Sequence, residues 1–503
     1  MTRRKVLLLT NSEHGQANVF LATSYALLAA APDTEIHFAS FGGIKAAVQS
    51  TSDAALEANP GATPIRFHQL DGTSVVEALL ENPAGLMDVL DMRPGPFTTH
   101  RILPPIARAS MPYTGPQIRQ NCAEVRRVVE EVRPDLTVVD NLFTPGLTVA
   151  RELGVEWMIL SPNTLKEFAA PLQPRGAYFW KFPALCTAYP FPVPLHLIPL
   201  NILFHLMFLY YIFFDKQGVQ ARKYLKEEAH TELFDQGGIF ADPPPGLKIL
   251  IATSPAFDFP VETIPDNMIP CGPILRPVRP VGEADAELDR WLGRGPTVVI
   301  NLGTHSWAKE TKAAKMATAI RRLLDAWREA GEEGRLQVLW KLKQTGDGRV
   351  EYDPYREDGP IAGILGGEFD NDLVRVVSWV KAEPYAVLRT GQVVCSVNHG
   401  GANSFWEALC AGVPQVILPV WADTFDFAHR AELLGIGRWG SRKHAPGYGA
   451  EELGAAMKEV VVGDGARKLR QRAKAVAKER ESHGEGHDVA AKHILQALAS
   501  SGR

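Results

Sequence analysis

Residues 399–407 read His399-Gly400-Gly401-Ala402-Asn403-Ser404-Phe405-Trp406-Glu407, a set of types and spacings suited to holding an anion. They follow an apolar run, residues 393–397, with the character of a buried strand, and Gly412 stands where a short helix would stop. A glycine turn between a strand and a helix lets a phosphate approach the backbone, and the first turn of the helix offers unpaired N–H groups. Glu407, further along the helix, adds a carboxylate whose two oxygens accept hydrogen bonds. A second apolar run, residues 415–419, delivers Asp423 and Thr424 to the same edge. A structural account competes with this one: Ser404 and Glu407 have the spacing of a helix capping box, and Gly400-Gly401 that of a tight turn. The sequence has no H-E-x-x-H, no G-x-S-x-G and no P-loop lysine motif. Asp370-Asn371-Asp372 matches a D-x-D metal pattern and is read as a surface loop.

The elements that would position these residues recur in two similar halves. Residues 5–10 (KVLLLT) and 297–302 (TVVINL) are apolar runs that each end in a polar loop, and helical patterns follow at 18–30 and 309–330. Further strands are expected at 35–39, 136–140, 157–161 and 248–254 in the first half. In the second they are expected at 337–341, 374–379, 393–397 and 415–419. Strands alternating with helices predict α/β domains with parallel sheets. The organisation expected is a first domain over 1–245 with an apolar insertion at about 175–240, then a strand and proline-rich linker over 246–295. A second domain spans 296–465, and a C-terminal helix in 466–503 packs back on the first half.

The chain has 503 residues, 53 Lys+Arg and 57 Asp+Glu, so its net charge of −4 argues against a dedicated nucleic-acid binder. Five widely spaced cysteines without a C-x-x-C argue against a disulfide framework or a zinc site, and a cytoplasmic location is expected. The opening MTRRKVLLLT superficially resembles a signal peptide, but its apolar run is short and stops at polar residues, which favours a buried first strand. Residues 191–214 (FPVPLHLIPLNILFHLMFLYYIFF) contain no charged residue. Three prolines interrupt the first part, so a buried or pocket-lining helix is expected, with peripheral contact to a membrane as the alternative.

Beyond the glycine turn, the pattern His399-Gly-Gly-Ala-Asn403-Ser404-Phe-Trp-Glu407, Gly412-Val-Pro414 and Pro419-Val-Trp-Ala-Asp423-Thr424 resembles the signature of the UDP-glycosyltransferases, family 1 of the glycosyltransferases with the GT-B fold. It is most similar to the fungal branch that lacks a signal peptide and membrane anchor. The resemblance implies two Rossmann-like domains facing a cleft, with the UDP-sugar held by the second. It implies that Trp379, with Val380, meets the uracil, two positions out of the plant register. By the same resemblance Glu407 accepts from the ribose hydroxyls, His399, Gly400, Gly401, Asn403 and Ser404 hold the diphosphate, and Gly303 and Thr304 close the pocket. Asp423 would bind sugar hydroxyls. Thr424 stands where the plant pattern has Gln, which leaves the sugar open, with glucose as the default.

The resemblance further implies a histidine base in the loop after the first strand, paired with an aspartate ending a later one. His14 and Asp140, the latter in Val138-Val139-Asp140, are the matching residues. Alignment on Asn18 puts the family's histidine position on Gln16, a residue that cannot act as a base. His14 as a helix cap and Asp140 as a turn cap are the structural alternatives. Tyr178, Phe179, Trp180 and Phe182 are the expected acceptor wall. These features together predict a monomeric, metal- and cofactor-independent, inverting UDP-dependent hexosyltransferase of secondary metabolism, acting on a small apolar acceptor to form a β-glycoside. The alternatives are a membrane-associated sterol or lipid glycosyltransferase and a catalytically silent nucleotide-sugar-binding subunit.

Overall fold

The computed structural model describes residues 3–82, 85–304, 306–345 and 352–500. The chain divides into two compact units. Unit 1 comprises residues 1–89, 95–276 and 484–503, and unit 2 comprises residues 90–94 and 277–483.

Unit 1 is built on seven parallel strands: β1 (Lys5–Leu9), β2 (Glu35–Ser40), β3 (Arg66–Gln69), β4 (Leu136–Asp140), β5 (Trp157–Ser161), β6 (Ile249–Ile251) and β7 (Met268–Pro270). Their order in the sheet is β3-β2-β1-β4-β5-β6-β7. Helices cover both faces, which is why β1 and β4 are mainly apolar and almost wholly buried. One face packs Leu7, Leu9, Val139 and Ile159 among the valines of the helix Gly115–Val132. The other packs Val6, Leu8, Val138 and Leu160 against the helix His14–Ala30 and the helix Gly486–Ser500.

Unit 2 repeats the plan with β8 (Thr297–Asn301), β9 (Trp307–Ala308), β10 (Gln337–Lys341), β11 (Lys343–Gln344), β12 (Val374–Val377), β13 (Val393–Asn398), β14 (Gln415–Ile417) and β15 (Gly437–Trp439). The main sheet runs β12-β10-β8-β13-β14-β15, all parallel, and β9 pairs with β11 apart from it. In both units the strand order reverses beside the first strand, the place where open α/β sheets bind ligands at the strands' C-terminal ends.

Three features differ from the sequence expectations. The edge strands β3, β7 and β15 were not anticipated: each has only three or four residues, too few to show a period, and β7 ends on Pro270, tolerable only at a sheet edge. Residues 466–500 form two helices, not one: Gly463–Ser482 belongs to unit 2, and Gly486–Ser500, beyond Gly484 (φ 81°), packs on the helix His14–Ala30 in unit 1. Finally, the helix expected to be buried within 191–214 runs Ile198–Phe214 but buries only Asn201, Phe204 and His205. Pro199 lies in its first turn, where its missing N–H costs nothing.

Candidate active site

The C-terminal ends of the unit 2 strands form one row, with Lys341 of β10 beside Asn301 of β8, Asn301 beside Asn398 of β13, and Asn398 beside Ile417 of β14. The two asparagines perform the same local task. Asn301 Oδ1 accepts from the Gly303 N–H at 3.1 Å, and Asn398 Oδ1 accepts from the Gly400 N–H at 2.9 Å. Each side chain folds the chain over at the strand end, the Asx-turn use of Asn, and each glycine sits in the left-handed region (φ 88° and 78°). Space also restricts these turns. A Cβ on Gly401 would fall 2.4 Å from His399 Nε2, and one on Gly303 would fall 2.8 Å from the same ring. The His399 imidazole is therefore held against two stretches of bare backbone, one from each strand-end loop.

The helix after this turn is Ala402–Cys410, and its N-cap is Gly401, with no side-chain cap. Ser404 thus lies inside the first turn and is not the capping residue, so the capping-box account fails at this helix. Asn403, Ser404 and Glu407 are half-buried on neighbouring positions of one helix face. Phe405, Trp406 and Leu409 are buried and anchor the helix to the unit.

Asp423 is half-buried and Thr424 opens the helix Thr424–Leu433. A Cβ at Gly400 would meet the Thr424 carbonyl at 2.8 Å, so the two loops are in close contact. Thr424 itself is 2% exposed, and its hydroxyl is committed to its own turn: it accepts from the N–H groups of Val420 (3.1 Å) and Trp421 (3.0 Å) and donates to the Trp421 carbonyl. It has no spare hydroxyl to offer a sugar. This corrects its assignment as a donor-binding side chain, and a buried hydroxyl that caps a turn explains why a residue shorter than Gln stands here.

Trp379 lies just after β12, is 58% exposed, and Val380 packs partly into the apolar cluster beneath. Two lysines not singled out from the sequence surround this indole. Lys341 Nζ lies 4.1 Å from its ring centroid and Lys343 Nζ lies 6.0 Å away. Lys343 Nζ also donates to the Thr304 carbonyl at 2.7 Å. Trp379, Lys341, Lys343, Thr304 and Gly303 are thus linked along one rim. Asp372, within the D-x-D, is taken up by Arg294 (2.7 Å) and Arg375 (2.7 Å), a structural ion-pair cluster.

In unit 1, His14 is the first residue of the helix His14–Ala30 and is exposed, with Nδ1 3.3 Å from Asn18 Oδ1. Asp140 ends β4, next to β1, and is fully buried. It accepts from Thr10 Oγ1 at 2.9 Å and from the Leu142 N–H at 2.9 Å, with further hydrogen bonds from Asn11. Burial nevertheless pushes its carboxyl up to about 6. Thr10 and Asn11 belong to the segment that leads into His14, so the buried acid is fastened to the loop that carries the histidine. Gln16, at the alternative position, is half-buried and its Oε1 has no hydrogen-bond partner among the described residues.

The expected acceptor wall is divided. Tyr178, Phe179 and Trp180 share the short helix Ala177–Trp180, with Tyr178 4.0 Å from the His205 ring and Trp180 exposed. Phe182 is 1% exposed and packs with Phe259 and Ala170. It is a core residue of the insertion, which corrects its placement on an open wall.

The site and the paired parallel-sheet units define the GT-B architecture, and comparison with known proteins agrees. Residues 370–496 match the family "Erythromycin biosynthesis protein CIII-like, C-terminal domain". The chain is 33% identical to Glycosyltransferase sdnJ of Sordaria araneosa, over 91% of this chain and 90% of that one. It is 24% identical to Erythritol-mannosyl-transferase 1 of Mycosarcoma maydis, over 93% and 88% of the two chains. A UDP-glucosyltransferase structure from Polygonum tinctorium superposes with a TM-score of 0.62, covering 99% of both chains at 15% identity. The chain belongs to the UDP-glycosyltransferases, family 1 of the GT-B glycosyltransferases, and is a UDP-dependent glycosyltransferase that transfers a sugar from a UDP-sugar.

Proposed function

We propose that the protein transfers a hexose with inversion to a hydroxyl of a small apolar acceptor, giving a β-glycoside from an α-linked donor. The reading rests chiefly on Asp140, a fully buried acid fastened to the loop that presents His14. His14 takes the acceptor proton. The acceptor oxygen attacks the anomeric carbon as the bond to the diphosphate breaks, and UDP departs with the electron pair. Asp140 stabilises the imidazolium that forms, as the buried carboxylate does in a His–Asp pair. The Gly400-Gly401 turn, the opening of the helix Ala402–Cys410, Asn403 and Ser404 meet the diphosphate, and Glu407 and Trp379 meet the nucleoside. Charge at the leaving group is then met by backbone dipoles and side chains, so no metal or cofactor is needed. His14→Ala lowers turnover by about 10²–10⁴-fold with UDP binding retained. Unchanged turnover in that variant, or an equal loss in Gln16→Ala, would remove His14 from the mechanism.

A second reading, a lipid-soluble acceptor collected at a membrane surface, is favoured by the inverted polarity of the helix Ile198–Phe214. Its inward side is pinned by polar groups. Asn201 donates to the carbonyls of Phe179 and Phe182 (2.8 Å each) and accepts from the Ala184 N–H, and His205 Nε2 lies 3.1 Å from the Phe182 carbonyl. Leu203, Leu206, Tyr210 and Phe213, spaced at three and four residues, face outward. The helical stretch that begins at Leu195 is long and apolar enough to cross a membrane by length and composition. But Asp215, with extended backbone, ends the apolar run, and the ties of Asn201 and His205 to the carbonyls of residues 179 and 182 favour a helix lying on a lipid surface. Wild-type protein co-sediments with phosphatidylcholine–phosphatidylserine vesicles, whereas the double variant Leu206→Glu, Phe213→Glu stays in the supernatant. Wild-type protein remaining in the supernatant rules this reading out.

A further inference from the structure

Lys341 and Lys343 stand out as cations without a counter-charge among the described residues. Lys341 ends β10, in the same row of strand ends as Asn301 and Asn398, and its recorded partner is the face of Trp379. Lys343 meets the rings of Trp307 (5.2 Å) and Trp379 and the Thr304 carbonyl. Among the described residues no carboxylate pairs with either ammonium, whereas Arg294, Arg321, Arg375 and Arg467 on the same unit are all paired. Lys341 is half-buried, and burial first, then the neighbouring Lys343 charge, hold it below the ordinary lysine range. Two like charges partly withdrawn from water are costly unless an anion completes them.

The geometry points to a ligand: we infer that Lys341 and Lys343 form a dicationic subsite that binds the diphosphate of the donor. They would neutralise the additional negative charge that UDP carries when the glycosidic bond breaks. The inference rests on the donor-site reading above and adds full charges that the glycine-turn motif does not supply. Lys343 is placed by its bond to Thr304, on the loop that, by the family resemblance, closes the donor pocket from the side opposite the glycine turn. Lys341 is placed by the indole, whose face holds an ammonium that an arriving phosphate can draw away.

Calorimetric titration of the full chain with UDP and with uridine separates the roles. Lys341→Met keeps the length of the side chain and removes the charge. It weakens UDP at least about tenfold while leaving uridine within about twofold, and Lys341→Arg restores most of the UDP affinity. Lys343→Met behaves in the same direction, with folding of each variant checked by its thermal melt. Equal weakening of UDP and uridine would make Lys341 a prop for Trp379 and overturn the inference, as would UDP affinity unchanged in both variants. If the wild type binds UDP no better than uridine, the donor-site reading falls as well, an outcome distinct from normal UDP binding that ignores the lysines.

Discussion

Asp140 carries the sharpest consequence of burial at a single residue. Its carboxyl, raised to about 6 by desolvation, is protonated when the folded protein is below that pH and ionised in the unfolded chain above about 4. The folded state therefore holds the extra proton between about 4 and 6, and stability falls as pH rises through that window. In the proposed mechanism activity runs the other way, because the ionised form is the one that would stabilise the imidazolium of His14. Asp140→Asn is expected to flatten the acid limb of the kcat profile near pH 6 and to lower kcat by about 10²-fold or more. At pH 8 it should also be more stable than the wild type, by on the order of 1–3 kcal/mol, with the gain absent at pH 4. A variant that loses activity without that stability signature would mean the acid is not strained by burial. The family resemblance made Asp140, in Val138-Val139-Asp140, visible in the sequence; its hydrogen bonds to Thr10 and Asn11 were not, because they depend on β4 lying beside β1.

Among the elements, the β2–β3 pair has its own titration. His37 of β2 is 3% exposed, and its Nδ1 lies 2.8 Å from Nε2 of His68 on β3, with the rings stacked. Burial, then the His68 and Arg66 charges, lower His37 to about 4 against an opposing pull from Glu35. A histidine depressed in the folded state binds its proton more readily when unfolded. Stability is therefore complete above about 6.5 and is lost as pH falls toward 4, by roughly 2–3 kcal/mol. His37→Phe should reduce that slope in denaturant midpoints measured from pH 7 to pH 4.5; an unchanged slope would assign acid sensitivity elsewhere. The elements themselves were legible to differing degrees. Long strands buried on both faces, such as β4, β5 and β10, match their expected ranges to the residue, whereas the short edge strands β3, β7 and β15 leave no period to read. The helix Ile198–Phe214 was visible as an apolar run, but which side it buries was not. Hydrophobicity surrounds it, and the backbone carbonyls of residues 179 and 182 with the N–H of Ala184 select Asn201 for the interior.

On the scale of the molecule, each unit has its own sheet and its own apolar core, and the last helix belongs to the first unit although it follows the second in sequence. Ala490, Ala491, Ile494 and Leu498 of that helix are buried with Ala17, Phe20 and Leu28 in one cluster. Removing residues 484–503 should expose that surface and lower the melting transition of unit 1, whereas UDP affinity, which the proposed function places in unit 2, should change by less than about threefold. Loss of UDP binding on truncation would show that the donor site depends on the first unit's integrity.

The amino-acid sequence by itself determined two α/β halves, the glycine turn with its neighbouring polar residues, and the family they signify, because these are local patterns: a strand buried on both faces, a turn, a helix start. Tertiary structure alone decided that Thr424 spends its hydroxyl on its own turn and that Phe182 is core. It also decided that Lys341 and Lys343 meet around Trp379. Each of those outcomes depends on which segments become neighbours. The free energy of burying or pairing a group is set by those neighbours, not by the residues beside it in the chain.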